Sequence, residues 1–490
     1  MTYSQCGVDV ARRRPTITTG LHPIELFLLF ALISLSTCAL AVTPVPADLA
    51  TPLVQKVENP DYTPPVIVND PNYGLHLQRT MTLLATSTPT HRNTVRILVY
   101  GQSITKQMYW RLLQADLRKR FPFANLIMEC RAIGGFSADK LWRPAQQDMY
   151  DFYPDLVIFH DFGGQPDYER MMSTLRKTTT SEVMMQTNHL GGNDGHDAGY
   201  FGWMLPAVAK KYDLELAEIH EPWWNYIQLN KLNNNDLLRD GTHLNTRGCF
   251  LMTDLLKPHL VYRPELTNDG WKNWVKDYQV GTDAQWKDSK LTLDFTGNRV
   301  DLLAAEHDVD TYTSASVLID GKKPSEFKGC YTITRPNDNP GLQDWPWSGA
   351  ITHVAWNVTP LVEDWTVTIT KATDKPQNME FSLSGSKTGV DGAGNTWSHF
   401  VSNSGRVVLD PGDWFNLKLK VGDTMTWSVL PMFKDLYNSP RTDDLTIENA
   451  TTIVQGIDNS KHTLELTATD GKTPPIAVIR VYTPPLTDAK

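Results

Sequence analysis

The sequence predicts an α/β fold built on a parallel sheet, followed by an antiparallel β-sandwich. Three observations predict it. From Val95 to about Leu260, short apolar and β-branched runs alternate with amphipathic segments, the order of strands joined by crossover helices. After Leu260 the texture changes to short strand-like runs between Gly, Asp, Asn and Pro turns. A chain of 490 residues also exceeds what a single core usually holds, so two or more domains are expected.

Taken in order, the chain opens with Arg12, Arg13 and Arg14, the apolar run Leu26–Leu35 and the small-residue site Ala39–Leu40–Ala41. Basic region, short apolar core and cleavage site make residues 1–41 an export signal, with cleavage expected after Ala41 and a periplasmic or secreted destination. An uncleaved anchor and lipid attachment at Cys38 are the other two readings. Residues 42–93, rich in Pro, Thr and Asn, read as an extended lead-in. Residues 94–265 form the α/β unit. Its strands are expected at VRILVY, ANLIMECRAI, YPDLVIFHDF and SEVMMQTNHL, its helices at KQMYWRLLQADLRKRF, YERMMSTLRK, WMLPAVAKKYD and TRGCFLMTDLLKPHL. Residues 266–490 form the sandwich, with strands such as SASVLIDGKKP, WTVTITKA, HTLELTATD and IAVIRVYTPP.

A net charge of −9 argues against nucleic acid or an anionic membrane surface as the main partner, and beyond the export signal nothing points to a membrane. After the signal only Cys130, Cys249 and Cys330 remain, with no C-x-x-C spacing. They allow either one disulfide with a spare thiol or three unpaired buried thiols.

Ser103, in VYGQSIT, stands at a strand-to-helix turn, where a serine either caps the helix or is presented as a nucleophile. A nucleophilic serine needs a base, and the base needs a third group to hold its tautomer. Asp240 and His243, three residues apart in DGTH just before the last helix, supply both from one loop. The glycine-containing motifs AIGGFS and FGGQPD follow the second and third strands, so four motifs fall at the same edge of the sheet.

In their order and context these blocks resemble the SGNH/GDSL hydrolase superfamily over residues 80–262. The family's blocks read GDS, a glycine, G-x-N-D and D-x-x-H. The resemblance implies a three-layer α/β/α, flavodoxin-like domain in which Ser103 is the nucleophile, Asp240 the orienting acid and His243 the general base. The N–H groups of Ser103 and Gly135 would form the oxyanion hole. Two departures stand out. Gln102 replaces the usual Asp before the serine, as in the GQS-type carbohydrate acetylesterases. The third block reads Gly163–Gly164–Gln165–Pro166, with Gln165 in place of the asparagine as a further oxyanion donor. A literal G-x-N-D, Gly191–Gly192–Asn193–Asp194, comes one strand later; it reads as a mobile loop bordering the pocket, with Asn193 a candidate substrate contact.

No metal or other cofactor is implied. His160, Asp161, His189, His196 and Asp197 lack any zinc spacing and read as solvated loop residues. The distal region resembles a galactose-binding-type jelly roll. Trp345 and Trp347, flanking Pro346, are its candidate sugar-stacking residues, with Trp356, Trp397 and Trp414 as further tryptophans of interest. The activity these resemblances imply is an exported serine esterase that removes small acyl groups, acetyl above all, from an acetylated polysaccharide or oligosaccharide. A lipolytic esterase or thioesterase and a non-catalytic carbohydrate-binding surface protein are the alternatives.

Overall fold

Continuous apolar runs build the middle of the central sheet, because the strands there are buried on both faces. A computed structural model describes residues 62–266, 270–307, 312–336, 350–373, 378–415, 419–441 and 444–487. The expected export signal and the pair Trp345 and Trp347 lie outside the described residues. In chain order the α/β elements are α1 (Gln78–Ala85), β1 (Thr94–Gly101), α2 (Tyr109–Arg120), β2 (Asn125–Cys130), α3 (Ala138–Asp148), β3 (Leu156–His160), α4 (Gln165–Thr178), β4 (Glu182–Gln186), α5 (Phe201–Tyr212), β5 (Glu215–Ala217), α6 (His220–Leu229) and α7 (Thr246–Leu256).

The five strands pair in parallel in the order β2-β1-β3-β4-β5. On one face Leu113 and Leu117 of α2, Trp223 of α6 and Leu251 of α7 share a core with Ile97 and Val99 of β1. On the other, Leu141 of α3, Met172 of α4 and Val208 of α5 pack with Leu98, Tyr100 and Phe159. The result is three layers, α/β/α. The strand order reverses between β1 and β3, and ligands of open α/β sheets bind outside the carboxyl ends of the strands at such a point.

Within the described part of the lead-in, residues 62–70 have no regular secondary structure, but the following stretch is not extended throughout. Gln78–Ala85 is helical, and Leu77, Met81 and Leu84 are buried in the core beside β1. Both carboxylate oxygens of Glu182 accept N–H bonds at 2.8 Å, from Arg79 and Thr80, satisfying the first turn of α1 from across the fold. Among the described residues, Cys130, Cys249 and Cys330 are unpaired thiols. Among the described residues no helix is long and apolar enough to cross a membrane.

Beyond Val275 the chain is antiparallel β. One sheet orders Leu436–Asn438, Ser314–Ile319, Ala450–Ala468, Lys290–Ala304, Ile476–Tyr482 and Val275–Gln279, with Trp286–Lys287 paired beside Lys290–Ala304; a second orders Tyr331–Ile333, Thr424–Pro431, Asp364–Ala372, Met379–Gly385 and Gly389–Asn395. Leu302, Val317 and Leu466 of the first and Val367, Phe381 and Met425 of the second share one core. Trp414 belongs to that core and is not a surface platform; Trp356 is half-buried and Trp397 is exposed. The sandwich is bolted to the α/β layers. Buried Arg335 pairs with buried Asp148 of α3, which also accepts the Tyr100 hydroxyl at 2.6 Å, and Phe415 packs edge-on to Phe136, centroids 4.6 Å apart.

Candidate active site

The site is assembled from the turns that leave the carboxyl edge of the sheet. β1 ends at Gly101, whose φ is +145°, and a side chain there would strike the His160 carbonyl 1.8 Å away. Only glycine lets the ends of β1 and β3 come this close. The chain then turns through Gln102–Met108 before α2 starts at Tyr109. Ser103 therefore caps nothing: the residue in the N-cap position is Met108, and it makes no side-chain cap. The helix begins later than its apolar pattern suggested, which leaves the serine side chain free for other partners.

The Ser103 Oγ lies 2.9 Å from Nε2 of His243, and His243 Nδ1 lies 3.0 and 2.9 Å from the two carboxylate oxygens of Asp240. Asp240 Oδ1 also accepts the backbone N–H of His243 at 2.8 Å and of Thr242 at 3.2 Å. The His243 backbone N–H, followed by its ring, holds the Asp240 carboxyl down at about 2, so it is ionised across the ordinary pH range. An ionised carboxylate at Nδ1 keeps the ring proton there and leaves Nε2 as an acceptor facing the serine. The Ser103 hydroxyl has a second neighbour, Oε1 of buried Gln102 at 2.7 Å. Rotating that amide by half a turn would place its NH2 on Oγ and leave the serine proton to His243.

Gln107, in the same turn as Ser103, supports this alignment. Its side-chain amide pairs with the backbone of Leu244, donating to the carbonyl at 2.8 Å and accepting the N–H at 2.9 Å. The residue next to His243 is thereby tied to the Ser103 turn. The contact spans 137 positions in sequence, and no local pattern marks it.

Gly134 comes beside the serine because the chain after β2 runs along the end of β1, with the Ile133 N–H on the Gly101 carbonyl at 2.8 Å. A side-chain carbon at Gly134 would sit 3.6 Å from the Ser103 Cβ. Among the described residues, neither the Ser103 nor the Gly135 backbone N–H is engaged by an acceptor. An unengaged N–H of this kind is able to receive negative charge that develops on a nearby oxygen.

Gln165 is engaged by other partners. It is the first residue of α4, and its amide donates to Glu169 one turn on at 2.8 Å, while its N–H is bound to the Tyr200 hydroxyl at 2.8 Å. A side chain at the start of a helix readily pairs with position i+4 along the same face, and sequence spacing does not reveal that choice. Asn193 is exposed, in a segment bonded to the turn that carries Asp240 and His243. Of the residues read as solvated, His196 and Asp197 are exposed, whereas His160, Asp161 and His189 are buried beneath the site. The ends of β3 and β4 lie inside the fold where the sequence suggested loops.

No family model matches the chain, and no curated protein does. Among solved structures, the chain is similar to a two-domain esterase active on acetylated mannans, with a TM-score of 0.34 and 14% identity over 85% of this chain and 96% of that one. It is also similar to the acetyl xylan esterase AlAXEase, at TM-score 0.31 and 19% identity over 34% of this chain and all of that one. An acetyl xylan esterase from Geobacillus stearothermophilus follows at TM-score 0.32 and 14% identity, covering 36% and 98% of the two chains. A putative GDSL-like lipase from Parabacteroides merdae is a further similar structure, at TM-score 0.31 and 16% identity over 36% of this chain and all of that one.

Proposed function

We propose that this protein is an exported serine esterase that removes small acyl groups, acetyl foremost, from a glycan. The observation that carries the reading is the continuous chain from Ser103 Oγ through His243 to Asp240; the unengaged N–H groups of Ser103 and Gly135 are the proposed oxyanion donors. In the proposed reaction His243 Nε2 takes the serine proton as Oγ attacks the acyl carbon, and the tetrahedral oxyanion accepts the two backbone N–H bonds. His243 then returns the proton to the departing sugar oxygen, leaving an acyl-serine. Water, deprotonated by the same nitrogen, attacks that ester and releases the acid, restoring Ser103. Asp240 keeps its charge throughout and stabilises the imidazolium formed in each half.

The choice of a small acyl group rests on the resemblance of Gly101–Gln102–Ser103 to the GQS-type acetylesterases. The choice of a glycan is favoured by exposed Tyr200 and Trp203, whose rings meet edge to face beside the third turn and offer apolar faces to a sugar. The test is acetate release from a panel of acetylated glycans, with Ser103→Ala as the control. Release by the wild-type protein, lost in Ser103→Ala, is expected. Faster turnover of long-chain than of acetyl nitrophenyl esters would replace this reading with a lipolytic one.

A further inference from the structure

The segment His189–Asp194, which contains the G-x-N-D sequence lying one strand too late, takes no part in the chemistry above. Its contacts show what holds it and what it holds. The Gly192 N–H donates to the Gly241 carbonyl at 2.7 Å, and Nε2 of His189 lies 2.8 Å from the Thr242 carbonyl. Gly241 and Thr242 are the two residues between Asp240 and His243, so both carbonyls of that turn are gripped from one segment. Gly241 has φ +77°, at the tip of a turn closed at its base by the antiparallel bridge Leu238–Leu244 and by the Arg239 N–H on the His243 carbonyl at 2.8 Å.

The approach is close enough to require glycine. A side-chain carbon at Gly192 would lie 3.1 Å from the Gly241 Cα and 2.5 Å from the Asn235 Oδ1. The segment itself is tied down: Asp194 accepts the Gly191 N–H at 2.7 Å, and the Asn234 amide donates to the carbonyls of Gly191 and Asp194 at 2.6 and 3.0 Å. His189 is buried with its ring against Trp223, centroids 5.3 Å apart. Burial pushes its pKa down to about 4, so the ring is neutral near pH 7. A neutral imidazole facing a carbonyl through Nε2 must carry its proton on that nitrogen, which makes His189 the donor.

We infer that His189–Asp194 is a clasp that holds the Asp240–His243 turn in shape, with His189 as its positioning residue, while Gln107 ties the neighbouring Leu244 to the Ser103 turn. The inference rests on the serine esterase reading for its effect on turnover, and on geometry alone for its effect on the turn. His243 must meet Asp240 with one nitrogen and Ser103 with the other, and a misplacement of about 1 Å costs such an arrangement on the order of a hundredfold.

The experiment compares His189→Ala, His189→Gln and Gly192→Ala on a small acetyl ester, and records the downfield proton resonance of His243 Nδ1–H bound to Asp240. For His189→Ala we expect kcat to fall about 10- to 100-fold with KM within twofold, and the resonance to shift or broaden. In His189→Gln, whose amide can still donate to Thr242, most of both losses should be recovered. A folded His189→Ala whose kcat or resonance matches wild type, or a loss that glutamine does not repair, overturns the clasp. Should His189→Ala fail to fold, Gly192→Ala decides: a displaced resonance supports the inference and an unmoved one overturns it. If Ser103→Ala retains full activity, it is the esterase reading that fails, and the resonance still reports on the clasp.

Discussion

Two acid–histidine pairs stand at opposite edges of the α/β sheet, and they differ in what surrounds an almost identical contact. At the carboxyl edge Asp240 and His243 are 2.9 Å apart with side chains 47% and 26% exposed. At the other edge Glu215, the first residue of β5, meets His259 at 2.6 Å with side chains 4% and 3% exposed. Each acid also accepts two backbone N–H groups, Asp240 from Thr242 and His243, Glu215 from Gly74 and His76. The far nitrogen of His243 faces a hydroxyl at the rim of the fold, whereas the His259 ring is packed against Tyr73, centroids 4.2 Å apart. An acid beside a histidine is thus no mark of chemistry. Solvent access and the neighbour of the second ring nitrogen decide whether the pair can move a proton or only hold two segments together.

The largest expected effect breaks the two pairs separately. His243→Ala should cut turnover by roughly four orders of magnitude or more, with the double variant Ser103→Ala/His243→Ala no worse than either single one, because the two groups act as a unit. Its thermal unfolding should stay close to wild type. His259→Ala should do the reverse: about 3 kcal/mol of stability lost, the order of cost for stripping one partner from a buried pair, with kcat within a few-fold. Denaturant unfolding and steady-state kinetics on both variants check the crossing. Two variants that lose both properties together would erase the distinction.

Asp240 sharpens the contrast at an intermediate scale. Asp240→Asn removes the charge that fixes the His243 tautomer and should lower kcat by about two to four orders of magnitude. In the wild-type protein, N–H bonds from the His243 backbone and ring depress the carboxyl from 3.8 to about 2. A depressed acid keeps its charge as pH falls, and the stability it lends, full above 3.8, declines as the unfolded carboxyl protonates below that value and is gone once the pH has passed through about 2. The carboxyl carbon shift of Asp240 should be flat down to about pH 3. A midpoint near 4 would mean the turn does not close on the carboxylate.

Much of this was legible in the chain because it is local. The apolar runs of β1, β3 and β4 dominate their surroundings, and Asp240 and His243 are three residues apart, so strand, turn and pair could be read together. What escaped is short or mixed. β5 has three residues, α3 carries Pro144 within it, and α1 is eight residues long in a proline-rich stretch. Gln107 and His189 escaped for another reason: their partners lie 137 and 53 positions away. The partners of Gln165, Glu169 and Tyr200, were not legible either, because a helix start fixes where a backbone lies and not which way its first side chain turns.

The smallest effect concerns the aromatic residues near each pair. At the holding edge Tyr73 is packed on its histidine; at the working edge Phe162, Tyr200 and Trp203 are left 44%, 40% and 58% exposed. Tyr200 and Trp203 meet at 4.8 Å, nearly perpendicular, and the Tyr200 hydroxyl accepts the N–H of Gln165 at the start of α4. These rings flank the turn after β3, on the α3–α4–α5 side of the edge, whereas Asp240 and His243 approach Ser103 from the α7 side. On the proposed reading, a glycan spanning this edge meets the rings and the Asp240–His243 pair through separate contacts. Trp203→Ala should therefore raise KM for an acetylated oligosaccharide several-fold, about the 0.5–1.5 kcal/mol that a well-placed aromatic contact supplies, while kcat and the kinetics of a small acetyl ester stay at wild-type values. Trp203 is largely exposed, so stability should change by less than about 0.5 kcal/mol. Equal losses on both substrates would assign Trp203 to the packing of α5, and the working edge would then differ from the holding edge only in its exposed histidine.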